Sequence, residues 1–469
     1  MPSDFRTVGS RRKFLKNAGY VAAASALAGV AIPAVHTAEN NTIQLALIGC
    51  GARGDGAVVN AMAVPGAPLK LVAMADVFSD RLSHSHASLQ KQLTKRMDVP
   101  GDRQFVGLDA YRKAMDCLRP SDIVILATPL GFRSLHFGYA VDKGLNVFME
   151  KPLTSDGPTS RRMLRQAEES EKKNLKVGVG LMSRHSRSLQ ETAQRIHDGQ
   201  LGDVILLRGY RMHGPVGTMQ LPPKPADVGE VEWQIRKFHG FLWASGGCYS
   251  DFYIHIIDHC CWMKDAWPVK AQSLGGRHYH NNPKGVPYVD QNFDVYSTEY
   301  TFADGTKFYM DGRCMPGCAQ IYRSFAHGTQ GTAILSKNSD CGAPSSFYKG
   351  LDIQRAGQVW QSKKVAFGDS NPYINEWVDL LEAIRNDKPY NEARRGVEAS
   401  LVTSMGRMAA HTGVEINYDD MLQCEHEMAP NIDRLALDGP APVQSDAQGR
   451  YPVPQPGIVT KREYGQTPS

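Results

Sequence analysis

Phe148-Met149-Glu150-Lys151-Pro152-Leu153 is the stretch on which the fold turns. Lys143-Gly144 upstream reads as a helix stop, and Leu145-Asn146-Val147-Phe148-Met149 as a short, buried parallel strand. Glu150 and Lys151 therefore stand at a strand's carboxyl end. In an open α/β sheet that edge is where ligands bind, so a cation there faces a cofactor and not bulk solvent. Pro152 restrains Lys151 to an extended backbone and makes a cis Lys151-Pro152 bond available.

Working backwards, Asp122-Ile123-Val124-Ile125-Leu126-Ala127 is another buried strand, ended at the same edge by Thr128-Pro129. A helix over 135–143 joins the two. Earlier still, Ile43-Gln44-Leu45-Ala46-Leu47-Ile48 runs into Gly49-Cys50-Gly51-Ala52-Arg53-Gly54, a G-x-G-x-x-G set between a strand and an apolar helix that begins near Ala57. Gly49 permits the tight turn, Gly51 lets the backbone approach a pyrophosphate, and Gly54 allows close helix packing. The helix N-terminus adds amide donors for the phosphates. The strand Leu69 to Asp76 ends in an acid 27 residues after Gly49. Asp76 would accept ribose hydroxyls and repel a 2′-phosphate, favouring NAD, while Arg53 and Arg81 could each reach a phosphate and keep NADP open. Asp109 is placed to cap the helix that follows it. Alternating strands and helices over 39–155 make a doubly wound parallel sheet.

Working forwards, a helix over 161–174 and a strand over 175–181 lead to the polar turn Ser183-Arg184-His185-Ser186-Arg187. Asp203 to Tyr210 reads as the first strand of a second, open sheet. The proline-rich segment 215–232 reads as a surface loop. Gly246-Gly247-Cys248-Tyr249-Ser250-Asp251-Phe252-Tyr253-Ile254-His255-Ile256-Ile257-Asp258 starts a helix that puts Asp251 and His255 on one face. His255 and His259, beside Cys260 and Cys261, repeat the spacing of a zinc pair. No third ligand stands at a recognisable distance, so no metal is expected. Tyr249 and Asp258 on this helix, with His136 and Arg184, are further candidates for ligand contacts, and structural roles are the alternative. The chain from 268 to 336 is strand-rich, with a hairpin at Asp304-Gly305. Helices over 373–386 and 397–412 follow, the second ending at Gly413. Residues 431–469 read as a tail draped on the surface.

At 469 residues, two domains are expected. A hydrophobic content of 42% with 22% charged residues fits an ordinary globular enzyme. The net charge of +5 owes much to Arg6, Arg11, Arg12, Lys13 and Lys16, and no basic stripe with interleaved aromatics follows, so nucleic acid is not an expected partner. Ser10-Arg11-Arg12-Lys13-Phe14-Leu15-Lys16 before the weakly apolar run Gly19 to Ile32 has the form of a twin-arginine export signal over 1–38. The implied location is the periplasm or cell envelope, and the export machinery is a partner. His36 fits poorly at the third position before a cut after Ala38, which leaves an uncleaved anchor open. The nine cysteines are odd in number and lack a framework spacing, so no disulfide scaffold is expected.

Gly49-x-Gly51-x-x-Gly54, Thr128-Pro129, His136 and Glu150-Lys151-Pro152-Leu153 together resemble the glucose-fructose oxidoreductase, inositol dehydrogenase and rhizopine catabolism family (Gfo/Idh/MocA). The resemblance implies an N-terminal Rossmann domain and a C-terminal α/β domain over 156–430, whose large open mixed sheet walls the substrate site and often forms a dimer or tetramer interface. It implies a tightly held NAD, or NADP, with Thr128, Pro129, His136, Glu150 and Lys151 beside it. Lys151, Asp251 and His255 match the family's catalytic set, and Arg184 matches the family arginine although the proline often found beyond it is missing. The implied activity is hydride transfer between the cofactor and a sugar, sugar derivative or cyclic polyol. A glycosidase of the same fold that oxidises, eliminates and reduces again is one alternative. A non-catalytic sugar-binding protein is another.

Overall fold

The runs of apolar residues that precede the glycine-, acid- and lysine-bearing turns in the first half form largely buried strands of one sheet. Its strands are β1 (Ile43–Ile48), β2 (Leu69–Asp76), β3 (Gln104–Val106), β4 (Ile123–Leu126), β5 (Asn146–Met149) and β6 (Val177–Val179), of which the short edge strand β3 is partly exposed. All pair in parallel, in the order β3-β2-β1-β4-β5-β6. The order reverses between β1 and β4, and a crevice opens outside the strand ends at that switch point. The computed structural model describes residues 42–337, 344–363 and 371–465, so the expected export signal lies outside the described residues. No helix among the described residues is long and apolar enough to cross a membrane.

Nine strands build the second sheet: β7 (Val204–His213), β8 (Lys270–Gly276), β9 (Val295–Thr301), β10 (Lys307–Cys314), β11 (Ile321–Gly328), β12 (Gly331–Ser336), β13 (Ser346–Lys349), β14 (Gln358–Gln361) and β15 (Ile416–Asn417). Their order is β14-β13-β12-β11-β7-β10-β9-β8-β15, antiparallel throughout except where β7 meets β10. Tyr296, Thr298 and Tyr300 on β9 and Phe308, Met310 and Cys314 on β10 alternate inward. They pack with the helices Gly247–Lys264 and Ala393–Thr412 in one core. Each large apolar side chain buried there contributes about 1.5–3 kcal/mol. The opposite face is open: Ile205, Leu274, Tyr309 and Val359 are exposed on it. The Asp304-Gly305 turn joins β9 to β10 as its sequence predicts.

Four expectations need correction. The boundary at residue 155 falls inside the first sheet, because the helix Gly157–Lys172 and β6 continue it and β6 pairs with β5. The segment over 215–232 is exposed for much of its length as expected, but it also turns inward, burying Met219 and Leu221, and Leu221 donates its amide to Asp290. Asp109 occupies the cap position without a capping bond, its carboxylate pairing instead with Lys113. The supposed surface tail also enters the interior, burying Val443, Tyr451, Glu463 and Tyr464. Glu463 meets the guanidinium of Arg407 at 2.7 and 2.8 Å and the Nδ1 of His411 at 2.6 Å. Proline and charge in that stretch suggested solvent, but the charge is spent on a buried partner.

Candidate active site

A cavity of about 1090 Å³ opens at the switch point, lined from one end by Gly49 to Gly54 and Asp76 and from the other by Lys151, Asp251 and His255. Gly49 has φ +99°, and a Cβ there would stand 2.8 Å from the backbone of Ala127 and Thr128, which excludes any side chain. A Cβ at Gly54 would collide with the carbonyl of Gly49, so helix and loop touch backbone to backbone. Gly51 is different. Nothing lies within 4 Å of where its Cβ would be, and that opening is where a pyrophosphate would approach. Gly54→Ala is therefore expected to cost about 1–3 kcal/mol through overpacking and to weaken dinucleotide binding. Thermal unfolding with an NADH titration measures both.

Asp76 ends β2 and accepts the amides of Cys50 and Phe78 at 2.8 and 2.9 Å, which locks its carboxylate at the cavity wall. Burial pushes its pKa up, and the two amide bonds offset only part of that rise. Arg53 lines the cavity, where its Nε pairs with Glu150 at 2.8 Å and its guanidinium lies over the Tyr373 ring. Thr128, Pro129 and His136 line the same wall. The Nδ1 of His136 lies 3.2 Å from the Thr128 hydroxyl, and burial beside Arg133 pushes its pKa down to about 3, so the ring is neutral.

Lys151 stands two residues beyond the end of β5 and precedes a cis bond to Pro152. Its Nζ donates to the Asp251 carbonyl at 2.8 Å and to the Asp251 carboxylate at 2.9 Å. Burial pushes the Asp251 carboxyl up, but Lys151, His239 and His255 together outweigh it and hold the group below the usual range. His255, one helical turn on, lines the cavity beside it and is 9% exposed. An ammonium from the edge of the first sheet and a carboxylate and an imidazole from the helix Gly247–Lys264 therefore converge on one space that the glycine loop also lines.

The helix Gly247–Lys264 is buried almost all round, so each polar residue on it needs a partner. That requirement decides the weaker candidates. Asp258 takes a two-point contact from Arg184 at 2.8 and 2.9 Å, and neither residue lines the cavity. The Tyr249 hydroxyl bonds that of Tyr300 at 2.9 Å inside the core, also away from the cavity. These three are structural, contrary to the substrate roles considered for them. His259 bonds the Ser324 hydroxyl at 2.7 Å in the interior. No cluster of three metal-capable side chains occurs among the described residues.

Two cavity residues escaped the sequence reading. The Nε2 of His239 lies 3.5 Å from the Asp251 carboxylate, and its Nδ1 accepts from the Thr218 amide at 3.3 Å. It sits in an aperiodic segment that offers no pattern to read. Arg211 lines the cavity from β7. Its signal was available: it falls two residues from both Gly209 and His213 on a strand, so it shares their inward face.

No family model matches the chain. It is similar to an inositol 2-dehydrogenase of Corynebacterium glutamicum (strain R), 25% identical over 144 residues, or 30% of this chain and 42% of that protein. The chain thus spans about two fifths of the first of the curated relatives it matches. An inositol 2-dehydrogenase of Rhodococcus jostii (strain RHA1) is 23% identical over 333 residues, 69% of this chain and 79% of that protein. A glycosyl hydrolase family 109 protein of Streptomyces coelicolor is 26% identical over 178 residues, 38% of this chain and 35% of that protein. Among solved structures, scyllo-inositol dehydrogenase from Lactobacillus casei with bound NAD(H) and scyllo-inositol superposes with a TM-score of 0.58 at 19% identity, covering 81% of this chain and 99% of that one. Levoglucosan dehydrogenase in complex with NADH and levoglucosan gives 0.60 at 16% identity over 80% and 99%. The chain therefore has the fold of these polyol and sugar dehydrogenases: a Rossmann sheet whose ligand edge faces a large open mixed sheet.

Proposed function

We propose that the protein is an NAD-dependent oxidoreductase that oxidises a secondary alcohol of a sugar, sugar derivative or cyclic polyol. The observation that carries this reading is the convergence of Lys151, Asp251 and His255 on the cavity that Gly49 to Gly54 also line. The residues present fit the dinucleotide. Gly51 leaves room for a pyrophosphate, Asp76 stands where ribose hydroxyls are read, and Thr128, Pro129 and His136 complete the wall. When bound, the nicotinamide supplies the hydride acceptor. His255 takes the hydroxyl proton as general base while the carbinol carbon gives up hydride, leaving a ketone. Lys151 stabilises the negative charge developing on oxygen, and Asp251 holds that ammonium in place. His239, whose pKa burial pushes down against the opposing pull of Asp251, orients Asp251 or donates to a substrate hydroxyl.

The Arg11-Arg12 segment supports export in the folded state with the cofactor already aboard, and the exposed face of the open sheet supports pairing with a second copy of the chain. Denaturing the purified protein is expected to release NAD. Incubating it with NAD and a panel of sugars and inositols is expected to produce NADH. Absence of a released dinucleotide, of NADH affinity and of turnover together would overturn the proposal. The family 109 relative favours a second reading, oxidation followed by elimination of an aglycone. Sustained release of an aryl group from aryl glycosides without added NAD would establish that reading instead.

A further inference from the structure

Five cations line the cavity, and four of them are committed. Arg53 pairs with Glu150, and Lys151 with Asp251. Arg133 donates to the carbonyls of Leu126 and Thr128, and Arg81 to the carbonyl of Arg236. Arg211 alone among these five described residues has neither an ion-pair partner nor a hydrogen-bond acceptor for any of its nitrogens; its Nε is buried without a hydrogen bond, as the Nε atoms of Arg53 and Arg133 also are. A buried, unsatisfied guanidinium donor is costly, which makes an absent acceptor the economical explanation. The Arg211 guanidinium lies over the Tyr322 ring at 3.9 Å from its centroid. Stacking of this kind fixes the plane of the fork and leaves its N–H edge to bind in that plane.

The position of Arg211 identifies which end of the cavity it serves. His213, two residues on and on the same face of β7, meets the Phe252 ring edge-on at 5.2 Å. Phe252 adjoins Asp251, and the Lys151 Nζ lies 5.9 Å from its ring. Arg211 therefore belongs to the substrate end and not to the pyrophosphate end. Charge at that end does not balance: Lys151 and Asp251 neutralise each other, and the guanidinium is left over.

We propose that Arg211 receives a carboxylate of the substrate, so that the oxidised sugar is an acidic one of the hexuronate class. This deepens the dehydrogenase reading and rests on it. A carboxylate matches the planar fork with two parallel N–H···O bonds, satisfies the buried donor and cancels the surplus charge. The carbinol to be oxidised then faces Lys151 and His255 from the other side of the sugar ring.

Calorimetric titration into the NADH-saturated protein tests this, with D-glucuronate and D-galacturonate set against D-glucose, D-galactose and D-glucose 6-phosphate. Wild-type protein is expected to bind at least one uronate about 10- to 100-fold more tightly than its neutral parent. The uronate-to-neutral ratio is expected to collapse in Arg211→Met and to be partly retained in Arg211→Lys, with NADH affinity and thermal midpoint unchanged. Equal affinity for uronates and neutral sugars, absence of uronate binding, a ratio unaffected by Arg211→Met, or a preference for glucose 6-phosphate would each overturn the assignment. The two readings fail separately. NADH production from neutral sugars without a uronate advantage removes the role of Arg211 and leaves the dehydrogenase. An Arg211-dependent uronate preference without NADH production from any sugar does the reverse.

Discussion

Lys151→Met is expected to lower kcat/KM for sugar oxidation by about 10²- to 10³-fold, the range for removing one preorganised electrostatic group from a developing oxyanion. Methionine keeps most of the side-chain volume and removes the charge, so the loss reports electrostatics and not a hole. Dinucleotide affinity should change by no more than a few-fold, since the glycine loop and Asp76 are untouched. The variant carries a second signature. Lys151 is the strongest influence holding the Asp251 carboxyl down against burial, so its removal moves that pKa upward. The acid limb of the pH–rate profile should therefore shift to higher pH. A rate loss under about tenfold, measured by steady-state kinetics across pH, would remove Lys151 from the reacting centre.

Glu463→Ala is expected to destabilise the protein by about 3–5 kcal/mol, because it leaves a buried guanidinium without its counter-charge. Arg407 also donates to the carbonyl of Gly246 at 3.0 Å, the Ser250 hydroxyl at 2.6 Å and the Ser155 carbonyl at 2.6 Å. The pair thus clamps the start of the helix that carries Asp251 and His255. Burial pushes the Glu463 carboxyl up, but Arg407 and His411 overcome it and bring the pKa down to about 2 from an ordinary 4.5. A lowered folded-state pKa stabilises fully above the ordinary value and is lost as pH falls from there towards about 2. The gap in stability between wild type and Glu463→Ala should narrow over that acid window. Denaturant unfolding at neutral and acid pH measures it, and a loss under about 1 kcal/mol at neutral pH would contradict the buried-pair account.

The first sheet was legible because each of its features is local. A buried parallel strand shows as an unbroken apolar run, and the turn after it stands at the sheet edge where the cavity opens, as Gly49, Asp76, Thr128 and Lys151 do. Asp251 and His255 were legible through helical spacing and through their resemblance to a known set. Arg184, Tyr249 and Asp258 misled because a buried polar residue looks the same in sequence whether it meets a substrate or Arg184 meets Asp258. Partners 74 residues apart, as those two are, leave no local trace. Arg53 lines the cavity, but its pairing with Glu150 across the chain left no local trace either. His239 was invisible because its segment has no period.

Glu463 follows Arg407 by 56 residues. During synthesis the guanidinium leaves the ribosome roughly 3 to 11 s before its counter-ion, at translation speeds of about 5–20 residues per second. Throughout that interval the helix Ala393–Thr412 has a cation where the finished protein has a dry interior, and docking it would be uphill. The nascent chain therefore has reason to keep this helix, and the helix Gly247–Lys264 it anchors, open to chaperones until Glu463 emerges.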